Sequence, residues 1–355
     1  MNLLVTGICG FAGSAIARAL LEMSPELEIS GIDNLVRPGS HVNLAGLRKM
    51  GVRVFHGDIR MPSDFETLPA IDWVIDCAAN ASVLAGVDGR TSSRQLVEHN
   101  LAGTINVLEF CRRHHAGFIL LSTSRVYSIP PLARLSVVER NGRFEIDESR
   151  PPPAGASANG VTENFSTAAP VSLYGATKLA SEAIALEYGH AFDLPVLINR
   201  CGVMAGAGQF GRPDQGIFAF WIHSWACRKP LKYIGFDGSG HQTRDCLHPR
   251  DVAELVLAQM RRPSQPDQRI VNVGGGVESA RSLRNLSAWC EARLGPHEVT
   301  ADLSPRPFDL PWMVVDASLA GRIWDWRPKI TVDSILEEIA RHAEENPSWL
   351  EASTP

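Results

Sequence analysis

Short apolar runs recur at residues 2–6, 28–32, 52–56, 73–77, 118–122 and 196–200. Runs of that length bounded by turn residues fit strands buried on both faces. Between them the apolar positions change period. Ile16 and Leu20 fall one turn apart within 14–23, and Leu96, Gly103, Val107 and Phe110 share one side of 94–114. That spacing predicts helices. Strand alternating with helix predicts an α/β fold, a doubly wound parallel sheet of the Rossmann kind with helices on both faces. Two segments break the rhythm. Residues 137–140 and 143–146 flank Asn141-Gly142 and predict a hairpin. Residues 151–164 form a Pro/Ala/Gly/Asn loop that ends shortly before Tyr174, which predicts a wall or lid beside a site there. The later half is less regular, with helices expected at 216–228, 251–261, 282–294 and 332–342. It reads as a smaller C-terminal α/β lobe, and no internal repeat is evident.

Composition narrows the class. A chain of 355 residues is long for one compact unit and suits two lobes sharing an interface. A net charge of −5 offers no basic footprint, so neither nucleic acid nor a membrane is an expected partner. Seven scattered cysteines without a CxxC pair point to reduced thiols. No apolar stretch has membrane-spanning length, and the chain opens on a strand-like run rather than a leader. A cytoplasmic protein is expected. His114-His115 lie at a helix end without metal-ligand spacing, so no metal is expected.

Chemistry enters at the first strand-to-helix junction. Gly7, Gly10 and Gly13, with Phe11 and Ala12 between them, allow a tight turn, close approach of a pyrophosphate, and close packing of the helix on the sheet. The helix N-terminus offers free N–H groups to the phosphates. Asp33 falls at the end of the second strand, twenty residues after Gly13. There a carboxylate accepts from ribose hydroxyls and repels a 2′-phosphate, favouring NAD over NADP, although Arg37 is near. Asp58 and Ile59 after the third strand suit the adenine edge, and Ala78-Ala79-Asn80 after the fourth let backbone pass close to the cofactor.

Tyr174-Gly-Ala-Thr-Lys178 opens a helix and puts both functional side chains on one face. A phenol titrates near pKa ~10 and is a poor base at neutral pH. The Lys178 ammonium is expected to lower that value and to hold the nicotinamide ribose. Ser122-Thr123-Ser124, after the fifth strand, supplies a hydroxyl to orient a substrate oxygen.

With these residues in place the chain resembles the extended short-chain dehydrogenase/reductase family, specifically its NAD-dependent nucleotide-sugar epimerases and dehydratases. The resemblance spans essentially the whole chain and adds Asp33-Asn34, Gly57–Arg60, Asn100–Leu108, Ser122–Tyr127, and Arg244-Asp245 with His248 and Asp251. It implies that Thr123 acts with Tyr174 and Lys178, that Asn34, Asn100 and Cys201 belong to the NAD site, and that Arg244 binds a substrate diphosphate. Ser124, Arg125, Gln215, Tyr233, Arg306 and Asp309 are the further substrate contacts it implies. Residues 1–200, with a return segment at 243–275, would form the NAD domain, and 201–355 mainly the nucleotide-sugar lobe.

The family's dehydratases carry an Asp-Glu pair after the threonine, and its decarboxylases a Glu. Here Ser124 and Arg125 stand there, and neither shuttles protons at neutral pH. A basic residue at that place, together with Asp33–Gly39 and the 200–216 segment, resembles the subgroup acting as CDP-paratose 2-epimerases. Cys201 and Ala205 depart from that subgroup's bulkier His and Tyr. The implied reaction is epimerisation by transient oxidation at C2 and return of hydride to the opposite face. A 4-epimerase or keto-sugar reductase stays open, as does a non-catalytic dinucleotide sensor. The family also implies a homodimer or homotetramer formed through the helices at 94–114 and 174–190.

Overall fold

The computed structural model describes residues 1–87, 89, 92–262 and 267–353. The six apolar runs all become strands: β1 (Asn2–Thr6), β2 (Glu28–Asp33), β3 (Arg53–His56), β4 (Trp73–Asp76), β5 (Gly117–Thr123) and the strand Val196–Cys201. A seventh strand, Ile270–Val273, completes one parallel sheet. Its order is Ile270–Val273, Val196–Cys201, β5, β4, β1, β2, β3. The strand order reverses between β1 and β4, which opens a crevice at their carboxyl ends. The glycine turn after β1 and the Ala78–Asn80 segment after β4 flank it.

Alternation along the strands feeds two cores. Leu3 and Val5 point to the face covered by helix α1 (Phe11–Met23) and the helix Pro249–Arg261. Leu4, Val74 and Phe118 point to the other face, covered by Gly103–His114 and Ser172–Ala191. A third core around Trp221, Trp225, Leu336 and Ile339 builds the smaller lobe, whose strand Leu231–Ile234 pairs in parallel with Val299–Asp302. Among the described residues no helix is long and apolar enough to cross a membrane, and all seven cysteines are free.

Two expectations change and one holds. The helix expected over 94–114 is interrupted by a wide turn at Glu98–Ala102. There the Asn100 carbonyl accepts from the hydroxyls of Thr104 (2.9 Å) and Ser181 (3.0 Å), side chains competing for a helical acceptor. The hairpin forms as expected, with Asn141 and Gly142 at positive φ, and docks on the small lobe through Phe144 and Arg143. The 151–164 loop does not wall the cleft. It folds into its own pair of two-residue strands and pins itself to Val314, Asp316 and Asn272, and none of its residues lines the cleft.

Candidate active site

One cleft of about 610 Å³ runs along the crevice and into the small lobe. Gly7, Gly10, Phe11, Ala12 and Gly13 line its floor. Gly7 is held at φ +60, and a Cβ there would come within 2.9 Å of the Ala78 backbone. A Cβ at Gly13 would sit 2.4 Å from the Gly7 carbonyl oxygen. No side chain caps the N-terminus of α1, so its first N–H groups face the cleft unclaimed by a capping residue. This cradle, which any Cβ would fill, fits a dinucleotide pyrophosphate.

Asp33 ends β2 at the cleft wall. Its two oxygens accept from the N–H groups of Cys9 (2.9 Å) and Leu35 (2.8 Å), which fixes the carboxylate in place. Burial pushes its pKa up, and these backbone bonds oppose the rise. Asn34 reaches Asp58 (2.9 Å), and Arg60 forks onto the same carboxylate, holding it well below the usual carboxylate range. Ile59 lines the wall beside it. Arg37 is committed elsewhere. It donates to Gln215 Oε1 (2.9 Å) and the Phe210 carbonyl (2.8 Å), so the NAD-side loop is tied to the small lobe. That arrangement takes the guanidinium away from a role as a 2′-phosphate partner.

Deeper in, Thr123, Ser124, Arg125, Tyr174 and Cys201 line the cleft together. Thr123 ends β5, Tyr174 lies on the first turn of Ser172–Ala191, and the Thr123 hydroxyl lies near enough to the phenol to favour its ionised form. The expectation for the phenol is corrected. Burial pushes Tyr174 up to about 12, and what pulls the other way is the Thr123 hydroxyl and the Arg125 charge rather than Lys178. Lys178 lies fully buried one turn further on, its own pKa lowered by burial. The charges opposing that fall are Asp76 and Glu182. Asp76 is itself buried and held by Thr6 (2.5 Å) and Thr104 (3.0 Å).

One turn beyond Lys178 on the same helix, Glu182 accepts from Ser122 (2.5 Å) and pairs with Arg200 (2.7 Å), both partners buried. Asn100 does not reach the cleft wall. Its side chain bonds the backbone of Asn80 (2.8 and 3.1 Å) and donates to the Thr177 hydroxyl (3.1 Å), fastening the Ala78–Asn80 turn to the helix Ser172–Ala191. Tyr233 also leaves the expected set: it stacks on Trp221 and donates to Ser287 (2.7 Å) in the core of the small lobe.

At the small-lobe end Arg125, Arg244 and Arg306 gather around Asp309. Arg244 meets Asp309 at 3.4 Å, and Arg306 donates to the Pro213 carbonyl at 2.9 Å. Burial, then Arg244 and Arg306, hold Arg125 down at about 10. The sequence did not single out Gln242, which bridges Ile234 (2.8 Å) and Asp309 (3.0 Å), or Arg212 and Arg281 on the same wall. Only spacing from Arg244 could have flagged Gln242, which stands two residues earlier, just before the strand Thr243–Leu247.

Over residues 3–274 the chain matches the model of the NAD dependent epimerase/dehydratase family, and it belongs to that family. It is an NAD-dependent enzyme of the nucleotide-sugar epimerase and dehydratase kind. Among curated relatives, the CDP-paratose 2-epimerase of Salmonella typhi is 29% identical over 96% of this chain and 98% of its own. The UDP-glucuronate 4-epimerase of Thermodesulfobacterium geofontis is 27% identical over 97% of this chain and 96% of its own. A solved structure of UDP-glucuronic acid 4-epimerase from Bacillus cereus, with UDP-4-deoxy-4-fluoro-glucuronic acid and NAD, superposes with a TM-score of 0.78. It is 25% identical and covers 97% of this chain and 99% of that one.

Proposed function

We propose that the chain epimerises a nucleotide-diphosphate sugar at C2 by oxidising the carbinol carbon, then reducing the keto-sugar from its opposite face. The observation that carries this is the lone Thr123–Tyr174 pair at the reacting end. Ser124 and Arg125 occupy the places where a carboxylate would serve water loss or decarboxylation, and one acid/base is all that epimerisation needs.

The glycine cradle, Asp33 and the Asp58–Ile59 wall would hold NAD, whose nicotinamide supplies the acceptor and later the donor of hydride. Thr123 orients the sugar hydroxyl against the Tyr174 oxygen. Tyr174 takes the hydroxyl proton as the carbon is oxidised and gives it back when the inverted carbinol forms. Lys178, buried beside Asp76 and Glu182 one turn beyond Tyr174, would serve the nicotinamide ribose from beneath the cleft. Arg244 and Arg306 hold the diphosphate through charge-assisted bonds.

Incubating the purified enzyme in D2O with CDP- and UDP-sugars, without added cofactor, and following the sugar ring by NMR tests the reading. A C2 epimer should accumulate with no stoichiometric NADH, and Tyr174→Phe should turn over at least about a thousandfold more slowly. A requirement for stoichiometric NAD(P)H would make the enzyme a reductase. Exposed Val97, Leu173 and Phe192 on the two long-helix segments support pairing of two copies there. Light scattering should give at least twice the mass of one chain.

A further inference from the structure

Arg125 differs from the other cleft arginines. Among the described residues, the side chains of Arg37, Arg212, Arg244, Arg281 and Arg306 each donate a hydrogen bond. The Arg125 guanidinium makes no hydrogen bond and no ion pair with any described residue, though it lines the cleft. Its backbone, by contrast, is locked. The Arg125 N–H donates to Thr123 Oγ1 at 3.2 Å, and its carbonyl packs on the first turn of the catalytic helix, where a Cβ on Gly175 would lie 2.2 Å away. The side chain therefore starts beside Thr123 and Tyr174 on a rigid turn.

A guanidinium set among other cations without an acceptor is costly, and an anion from the ligand relieves it. Of Arg125, Arg244 and Arg306, only Arg244 pairs with the one carboxylate among them, Asp309, which leaves the positive charge of the other two uncompensated. A diphosphate cancels that charge. Arg125 acts electrostatically on both ends of the set, on Arg244 and Arg306 on one side and on Tyr174 on the other.

We propose that Arg125 grips the sugar-side phosphate of the substrate and so selects C2 as the carbon presented to Tyr174. The inference rests on the nucleotide-sugar reading above. The phosphate hangs from the anomeric carbon. A phosphate held next to the tyrosine places the adjoining carbon, C2, at the phenol. Reaction at C4 would instead put the width of the sugar ring between the phenol and the phosphate and move the phosphate toward Arg244 and Arg306.

Isothermal titration of the NAD-loaded enzyme with CDP, CMP and UDP-glucuronate tests it. Arg125→Met should lose tenfold or more in affinity for CDP while CMP binding is nearly unchanged, and Arg125→Lys should recover part of the loss. NAD affinity and thermal midpoint should match the parent in both variants. An unchanged CDP-to-CMP ratio in Arg125→Met overturns the proposal. So does a loss confined to UDP-glucuronate, which would make a sugar carboxylate the partner. If the loss for CDP is found but the wild type inverts C4, the phosphate contact stands and the selection of C2 falls. A wild type that binds neither nucleotide would bring down the nucleotide-sugar reading itself, and this inference with it.

Discussion

At Tyr174 desolvation and polar neighbours pull in opposite directions. Burial disfavours the phenolate, and the Thr123 hydroxyl and the Arg125 charge favour it. Burial wins in the protein without ligand, so the phenol titrates near 12. The base form is then a small fraction at neutral pH and grows tenfold with each pH unit below that value. kcat/KM should therefore rise with pH through the neutral range. Ultraviolet titration at the phenolate band, taken as the difference between wild type and Tyr174→Phe, should show the lost tyrosine titrating well above ~10. A value below 9 in the cofactor-free enzyme would contradict this. The glycines, Asp33, Thr123 and Tyr174 were legible in sequence because each sits at the end of a strand or the start of a helix, where spacing alone fixes position. Arg37 and Tyr233 were not. Their partners, Gln215 and Ser287, are distant along the chain, and only the tertiary fold decides whether such a side chain faces ligand or core.

The catalytic helix Ser172–Ala191 carries Tyr174, Lys178 and Glu182 at successive four-residue steps, so one face does both chemistry and anchoring. Glu182 ties that face to Ser122 on β5 and Arg200 on the neighbouring strand, out of water. Removing one partner of a buried pair leaves the other charge uncompensated. Arg200→Met should lower the unfolding free energy by about 3–5 kcal/mol in urea titration. A loss under about 1 kcal/mol would mean that water already reaches the pair. Short apolar runs revealed the first six strands, five of them largely buried and the other, β3, an edge strand only half-buried. The seventh, Ile270–Val273, was readable only as part of a return segment: it is four residues long and stands at the sheet edge. The wide turn at Glu98–Ala102 was invisible, since it arises from Ser181 reaching across from another helix.

Asp245, next to Arg244 on the strand Thr243–Leu247, lies wholly buried where several segments converge. Gly275 donates to it at 3.1 Å, and the Gly276 and Val315 N–H groups add to that support. Gly202 and Gly274 press so close that a Cβ on either would fall 2.5 or 2.3 Å from its oxygen. This one carboxyl thus joins the last two strands of the sheet to the Val315 segment. Burial raises its pKa from 3.8 to about 7 despite the backbone bonds. Between those values the folded chain keeps a proton that the unfolded chain has shed, so the stability this group contributes is full below pH 3.8 and declines up to about pH 7. Above pH 7 it changes no further. From pH 5 to pH 8 the loss should amount to about 2–3 kcal/mol, at about 1.4 kcal/mol per pKa unit. Asp245→Asn cannot ionise, and its unfolding free energy should show a shallower fall over the same interval, even if it is less stable than the wild type at pH 5. Urea titrations of both proteins at pH 5 and pH 8 decide the matter. Equal slopes would mean that Asp245 is ionised throughout, and that these segments are held by a charge rather than by a neutral acid.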